Sequence, residues 1–218
     1  MSTEGAPARR PYALSPADES ADFPVLTSLI QFYTDVRNAT PSTSTSFDPP
    51  TTASPNEAEF SAYLLLTHLF DTDILRQTES LPPYLFHSPE VQLALELAYL
   101  AQRAHDAQAK SKPTSELSQN FFSRFFKVVG RPSTPYLVGA LVEGHFGEIR
   151  KAALGGMRKA FLGNHKALPA DDLVQLLGAD DEADLRRLIG DFGVELGEDG
   201  VRLSKETVIT GGSSPTEI

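Results

Sequence analysis

The sequence holds 218 residues with 40% hydrophobic side chains and 13 Phe, enough to bury a core in one domain or two small ones. It contains no Cys, which excludes disulfides, thiolate zinc sites and cysteine nucleophiles and favours a reducing cytosolic or nuclear compartment. The formal charge of −10 hides a segregation: residues 121–166 carry 8 basic and 2 acidic side chains and are +6, between two segments of −8 each.

Residues 1–22 are rich in Ala, Pro, Ser and acid, and read as a disordered N-terminus with no signal-peptide core. Phe23 to Arg37 places Leu26, Leu29, Ile30, Tyr33 and Val36 or Arg37 at helical spacing. A Ser/Thr/Pro linker at 39–55 separates this helix from the rest, so it must pack on the body to be stable, and the chain reads as the C-terminal part of something longer. No later run approaches the ~18 consecutive apolar residues of a membrane span, and no membrane partner is expected.

Pro55 to Glu59 supplies a helix start with acids in its first turn, predicting a helix over 56–69 with Phe60, Tyr63, Leu64 and Thr67 on one face. A short helix over 71–77 follows, ended by Leu81-Pro82-Pro83. Ser88-Pro89-Glu90 opens the next. Val91, Ala94, Leu95, Ala98 and Gln102 form one stripe of that helix, and Leu93, Leu97, Leu100 and Ala104 a second on the far side, so it must lie between two others. Ser118 to Val129 directs Phe121, Phe122, Phe125 and Phe126 into one core. Tyr136 to Glu143 is a short helix, and His145 to Leu162 a long basic one with Phe146, Ile149, Ala153, Met157 and Phe161 on its apolar face. Lys151, Arg158 and Lys159 point roughly the other way, with Arg150 on the boundary.

The C-terminal part reads as two short helices, Pro169 to Leu177 and Asp180 to Phe192, across a short turn. A hairpin follows, closed by Gly197 to Gly200, in which Val194 faces Leu203 and Leu196 faces Val201 on the buried side, with Glu195 opposite Arg202 on the solvent side. Helix, helix and hairpin after a long helix is the order of a winged helix. The fold class is therefore mainly α: stacked helical-hairpin, TPR-like repeats over 23–162, a winged helix over 163–206, and a disordered tail over 207–218.

The runs PNEAEFSAYLLLTHL from Pro55, SPEVQLALEL from Ser88, NFFSRFF from Asn120, PSTPYLVGALVEGHFGEIRKAAL from Pro132 and LPADDLVQLLGADDE from Leu168 resemble the PCI domain of the GANP/SAC family. Members of that family are scaffold subunits of the transcription-and-export complex two, which couples transcription to mRNA export. The resemblance implies helical repeats capped by a winged helix, a second PCI-domain protein and a DSS-type acidic peptide as partners, and RNA or DNA binding on joined winged helices. It implies a nuclear location associated with the nuclear pore, the alternative being the cytoplasm. Phe146, Ile149 and Arg150 match the block before the winged helix, while Arg186, Arg187 and the hairpin 194–203 fall within it. The family's aromatic–asparagine pair stands here as Phe146-Gly147, and its helices upstream of Phe23 are not in this sequence. Other readings of the same fold are a PCI subunit of a proteasome-lid, signalosome or translation-initiation assembly, or a GANP-like protein acting in splicing or at centrosomes.

No GxxxxGK[ST], GxSxG, HExxH or HxH signature occurs, and no catalytic residue, metal or cofactor is expected. Histidines 68, 87, 105, 145 and 165 are scattered, and the acids Asp180 to Asp184 read as helix-capping charge rather than a metal loop. The candidate nucleic-acid-binding residues are Arg150, Lys151, Arg158, Lys159, Lys166, Arg186, Arg187 and Arg202. Arg150 to Lys166 could equally be a solvated helix face, and Arg186 and Arg187 could equally pair with nearby acids. The acids at the start of the second short helix disfavour base reading in a major groove. The candidate partner-docking residues are Val194, Leu196, Val201 and Leu203.

Overall fold

The structure, a computed structural model, describes residues 16–39, 49, 53–109, 120–160, 167–197, 200–203 and 209, with the backbone alone at 16–23, 107–109 and 159–160. Residues 1–15, most of the Ser/Thr/Pro linker, the expected helix end at Leu162, Lys166 and the tail from 210 lie outside the described residues. What is described is mainly helical. In chain order come α1 (Pro16–Ala39), α2 (Glu57–Thr67), α3 (Thr72–Glu79), α4 (Pro83–Phe86), α5 (Pro89–Ala109), α6 (Phe121–Val129), α7 (Tyr136–Glu143) and α8 (Phe146–Ala160). After them come α9 (Ala170–Leu177), α10 (Glu182–Gly190), β1 (Leu196–Gly197) and β2 (Gly200–Val201).

The core is built around α2 and α5. From Ser61 to Leu66 every residue of α2 is buried, and the helix is enclosed by α1, α3, α5 and α7. On α5 the buried residues Val91, Ala94, Ala98 and Ala101 lie on one side and Leu97, Leu100 and Ala104 on another, and the helix packs against α2, α6 and α8. A helix apolar on two sides packs neighbours on both, so α5 runs through the middle of the body with a narrow strip about Tyr99 left exposed.

Two elements differ from the sequence expectation. Residues 16–22, expected to be disordered, are the opening turns of α1. Pro16 stands at the first helical position, where its missing N–H costs nothing. Pro82-Pro83, expected only to end a helix, also begins α4, because a ring that fixes φ near the helical value suits a first turn as well as it blocks an interior one.

The C-terminal unit carries a small sheet. Leu196 pairs with Val201 and Gly197 with Gly200, the register expected from the sequence. On its other edge Val201 exchanges both backbone hydrogen bonds with Leu168, at 2.8 and 2.9 Å. Gly200 has φ 109°, and a β-carbon there would lie 2.0 Å from the Leu168 carbonyl oxygen, so only glycine lets the hairpin close onto residue 168.

One buried ion pair fastens α1. The Arg37 guanidinium donates to the Glu57 carboxylate, whose other oxygen accepts from the Tyr84 hydroxyl at 3.5 Å. Glu57 is 4% exposed, so burial pushes its carboxyl above the ordinary value near 4.5, while Arg37 and the Tyr84 hydrogen bond pull it back down. Arg37 thus ends the inner stripe of α1, and Val36 faces outward. A carboxyl whose folded pKa is raised contributes stability below its unfolded pKa and loses it as pH rises through the folded value. Arg37→Ala removes the largest opposing influence and raises the Glu57 pKa further. The variant is expected to be near wild type at about pH 4.5 and to lose about 2–3 kcal/mol by about pH 7, as an uncompensated charge is left buried. Urea midpoints across that range check it, and a loss of equal size at every pH would contradict it.

Candidate interface between the helical body and the C-terminal unit

The basic helix expected to offer a strip of cations is α8, but its surroundings leave less of it open than helical spacing suggests. From Ala152 to Met157 every residue is buried. Lys151 and Arg158, seven residues apart and so on one face, are both half-buried. The backbone of Lys159 continues the helix, and Lys166 lies outside the described residues.

Arg150 is engaged within the chain. Its Nε–H donates to the Leu177 carbonyl at 3.0 Å and an Nη2–H to the Gly178 carbonyl at 3.0 Å. Its guanidinium carbon lies 5.4 Å from the Phe126 ring centre and 5.1 Å from that of Phe146. Those rings meet edge-on at 5.2 Å, and Phe125 closes the cluster with centroids 5.5 Å from Phe126 and 6.1 Å from Phe146. Burial lowers the Arg150 pKa from its ordinary value, and the carboxylates of Asp184, Glu143 and Asp180 oppose that shift. Arg150 thus gives two of its donors to the last carbonyls of α9, where a cation complements the negative end of the helix.

Gly178 is the other half of this joint. It ends α9 in the left-handed region at φ 62°, and a β-carbon there would stand 2.6 Å from Phe126 Cδ1. Both conformation and space demand glycine.

Two further arginines of the C-terminal unit, Arg186 and Arg187, engage its acids. An Arg186 Nη2–H donates to Glu182 at 3.1 Å and an Arg187 Nη2–H to Asp184 at 2.6 Å, all on α10. Asp181 caps that helix by accepting from the Asp184 N–H at 2.7 Å. Among the described residues no group of three or more acids and histidines could hold a metal ion. The ring nitrogens of His68, His87 and His145 lie against the carbonyls of Leu64, Pro83 and Leu66 at 3.1, 2.8 and 3.1 Å, so these side chains finish helix ends.

The hairpin residues expected to dock a partner are core residues. Val194, Val201 and Leu203 are buried, and Leu196 packs half-buried against them. A two-stranded ribbon has one apolar face, and here it is built into the chain's own core, leaving Glu195 and Arg202 exposed on the outside. What helical spacing on the basic helix missed is the rest of the basic segment, which stands on α6 and the turn after it as Arg124, Lys127 and Arg131, all exposed.

A sequence model described as the SAC3/GANP family matches residues 24–198, a span holding every residue of the joint. Over 181 residues the chain is 38% identical to SAC3 family protein 1 of Schizosaccharomyces pombe, covering 83% of this chain and 17% of that protein. Over 150 residues it is 27% identical to Protein xmas of Drosophila melanogaster, covering 67% of this chain and 6% of that protein. The chain thus spans less than a fifth of the length of either relative.

The joint makes a direct prediction about stability. Arg150→Ala leaves two carbonyls without their donor and is expected to cost about 2–4 kcal/mol. Arg150→Lys should recover less than about half of that, because an ammonium cannot fork to two carbonyls while stacking on two rings. Gly178→Ala should cost about 2–4 kcal/mol through strain and overpacking against Phe126. Chemical denaturation measures all three, and full stability of the lysine variant would show that charge alone suffices.

Proposed function

The chain belongs to the SAC3/GANP family, and from that premise we propose that it is the PCI-domain part of a non-catalytic scaffold in transcription-coupled mRNA export, acting in the nucleus at the pore. The observation that carries this reading is the family match over 24–198 joined to the order of the C-terminal elements. A long helix, a bridging residue at Leu168, two short helices and a hairpin pairing back onto Leu168 follow the chain order of a winged helix. The helices ahead of it stand in the place of the TPR-like repeats.

In this reading a second PCI-domain protein docks on the outer side of the hairpin, through Glu195 and Arg202, since the inner side is occupied by the chain's own core. A DSS-type acidic peptide joins the pair. RNA or DNA is contacted by the α8 face of Lys151 and Arg158.

Native purification of the chain from nuclear extract should recover a PCI-domain protein and a small acidic peptide. Glu195→Lys with Arg202→Glu should lose the first while leaving the thermal melt in place. Recovery of neither partner by the wild type would overturn the reading. The nucleic-acid part is tested by RNA titration at several salt concentrations. Each lost phosphate contact on a single strand should reduce the log–log salt slope by about 0.7, so Lys151→Glu with Arg158→Glu should reduce it by about 1.4. Unchanged affinity in that variant would remove the strip.

A further inference from the structure

The phenylalanines of α6 fill its inner arc, and the arc left over is basic. Arg124, Lys127 and Arg131 follow one another at i, i+3 and i+7 along the outer side, each exposed. Arg124 and Lys127 make no ion pair with a described residue. From Leu117 to Val142 the sequence has no Asp or Glu at all, in a chain whose net charge is −10. The neighbouring helix α5 runs alongside: Arg131 pairs with Glu96 at 3.3 Å, and one turn on Tyr99 meets Phe121 edge-on at 6.2 Å. A further turn along, Arg103 lies 5.4 Å from the Tyr99 ring centre. Tyr99 is 50% exposed. Beyond Arg131 the loop is held against α6 by the Thr134 hydroxyl on the Val128 carbonyl, and α7 opens on Tyr136, 74% exposed.

We propose that the outer faces of α5 and α6 and the start of α7 form a docking track for single-stranded nucleic acid, with phosphates on Arg124, Lys127 and Arg131 and bases against Tyr99 and Tyr136. The track is distinct from the α8 strip. Cations repeated once per turn beside protruding aromatic rings provide what a single strand needs, charge for its backbone and a π-face for its bases. A duplex fits poorly: α6 lies flat on α5, α8 and α9 and cannot enter a major groove. An acidic peptide would pair with the same cations but has no use for the exposed rings of Tyr99 and Tyr136 beside them.

The test is fluorescence anisotropy of a labelled oligouridylate with the full chain at several salt concentrations. Arg124→Glu with Lys127→Glu is expected to weaken binding at least ~10-fold at low salt and to reduce the log–log salt slope by about 1.4. Tyr136→Ala should weaken binding roughly 5-fold or more with the slope unchanged, since stacking carries no counterion. Circular dichroism melts should match wild type for both, as all three side chains are exposed. Unchanged affinity in the α6 double variant overturns the proposal; if Lys151→Glu with Arg158→Glu weakens binding in the same assay, the α8 strip then stands alone. Displacement of the oligonucleotide by polyglutamate at equal charge, with Tyr136→Ala neutral, would likewise overturn it and mark an acidic-peptide surface.

Discussion

A single guanidinium joins the two parts of this molecule. Arg150 leaves α8, passes beside the rings of Phe126 and Phe146, and ends on the carbonyls of Leu177 and Gly178. Those carbonyls belong to the last turn of α9, where helix geometry leaves acceptors without partners. The same contact sets how close α9 can come to α6, because Gly178 touches the Phe126 ring that Arg150 covers. The position of α10 and of the hairpin follows from α9, since Leu185, Ile189, Val194 and Val201 share its core.

The local features of this arrangement could be read from sequence, and the non-local ones could not. Pro135 and Gly144 mark α7 at its true ends, and Gly178 marks the end of α9, because a missing N–H and a left-handed φ act on the residues that carry them. The pairing of Leu196 with Val201 follows from the turn between them. The bridge from Leu168 to Val201 and the bonds from Arg150 to Leu177 and Gly178 join residues far apart in the chain, and no periodicity announces them. Arg150 was legible as a boundary residue of a basic helix. Its engagement depends on a helix end that a different segment supplies.

The hairpin residues expected to dock a partner show a related limit. Alternation correctly assigned Val194, Leu196, Val201 and Leu203 to the apolar side of the hairpin, but an apolar side can be satisfied within the chain or by a partner. Only the three-dimensional arrangement distinguishes these, and here the chain's own helices occupy it.

The charges obey the same logic of position over sum. The acids near α10 act as its cap and its intrahelical partners, so much of the local negative charge is already answered within a few residues. The cations of the middle segment divide by the faces their helices bury. On α8, burial runs almost all the way round from Ala152 to Met157, which draws Arg150 inward and leaves Lys151 and Arg158 half-covered. On α6 the phenylalanines at i, i+1, i+4 and i+5 claim one arc, and every cation must then stand on the other. Core and basic stripe are therefore two consequences of one pattern. Any substitution that rotated α6 to improve its packing would also turn its charged face, so the aromatic core fixes the direction in which that face points.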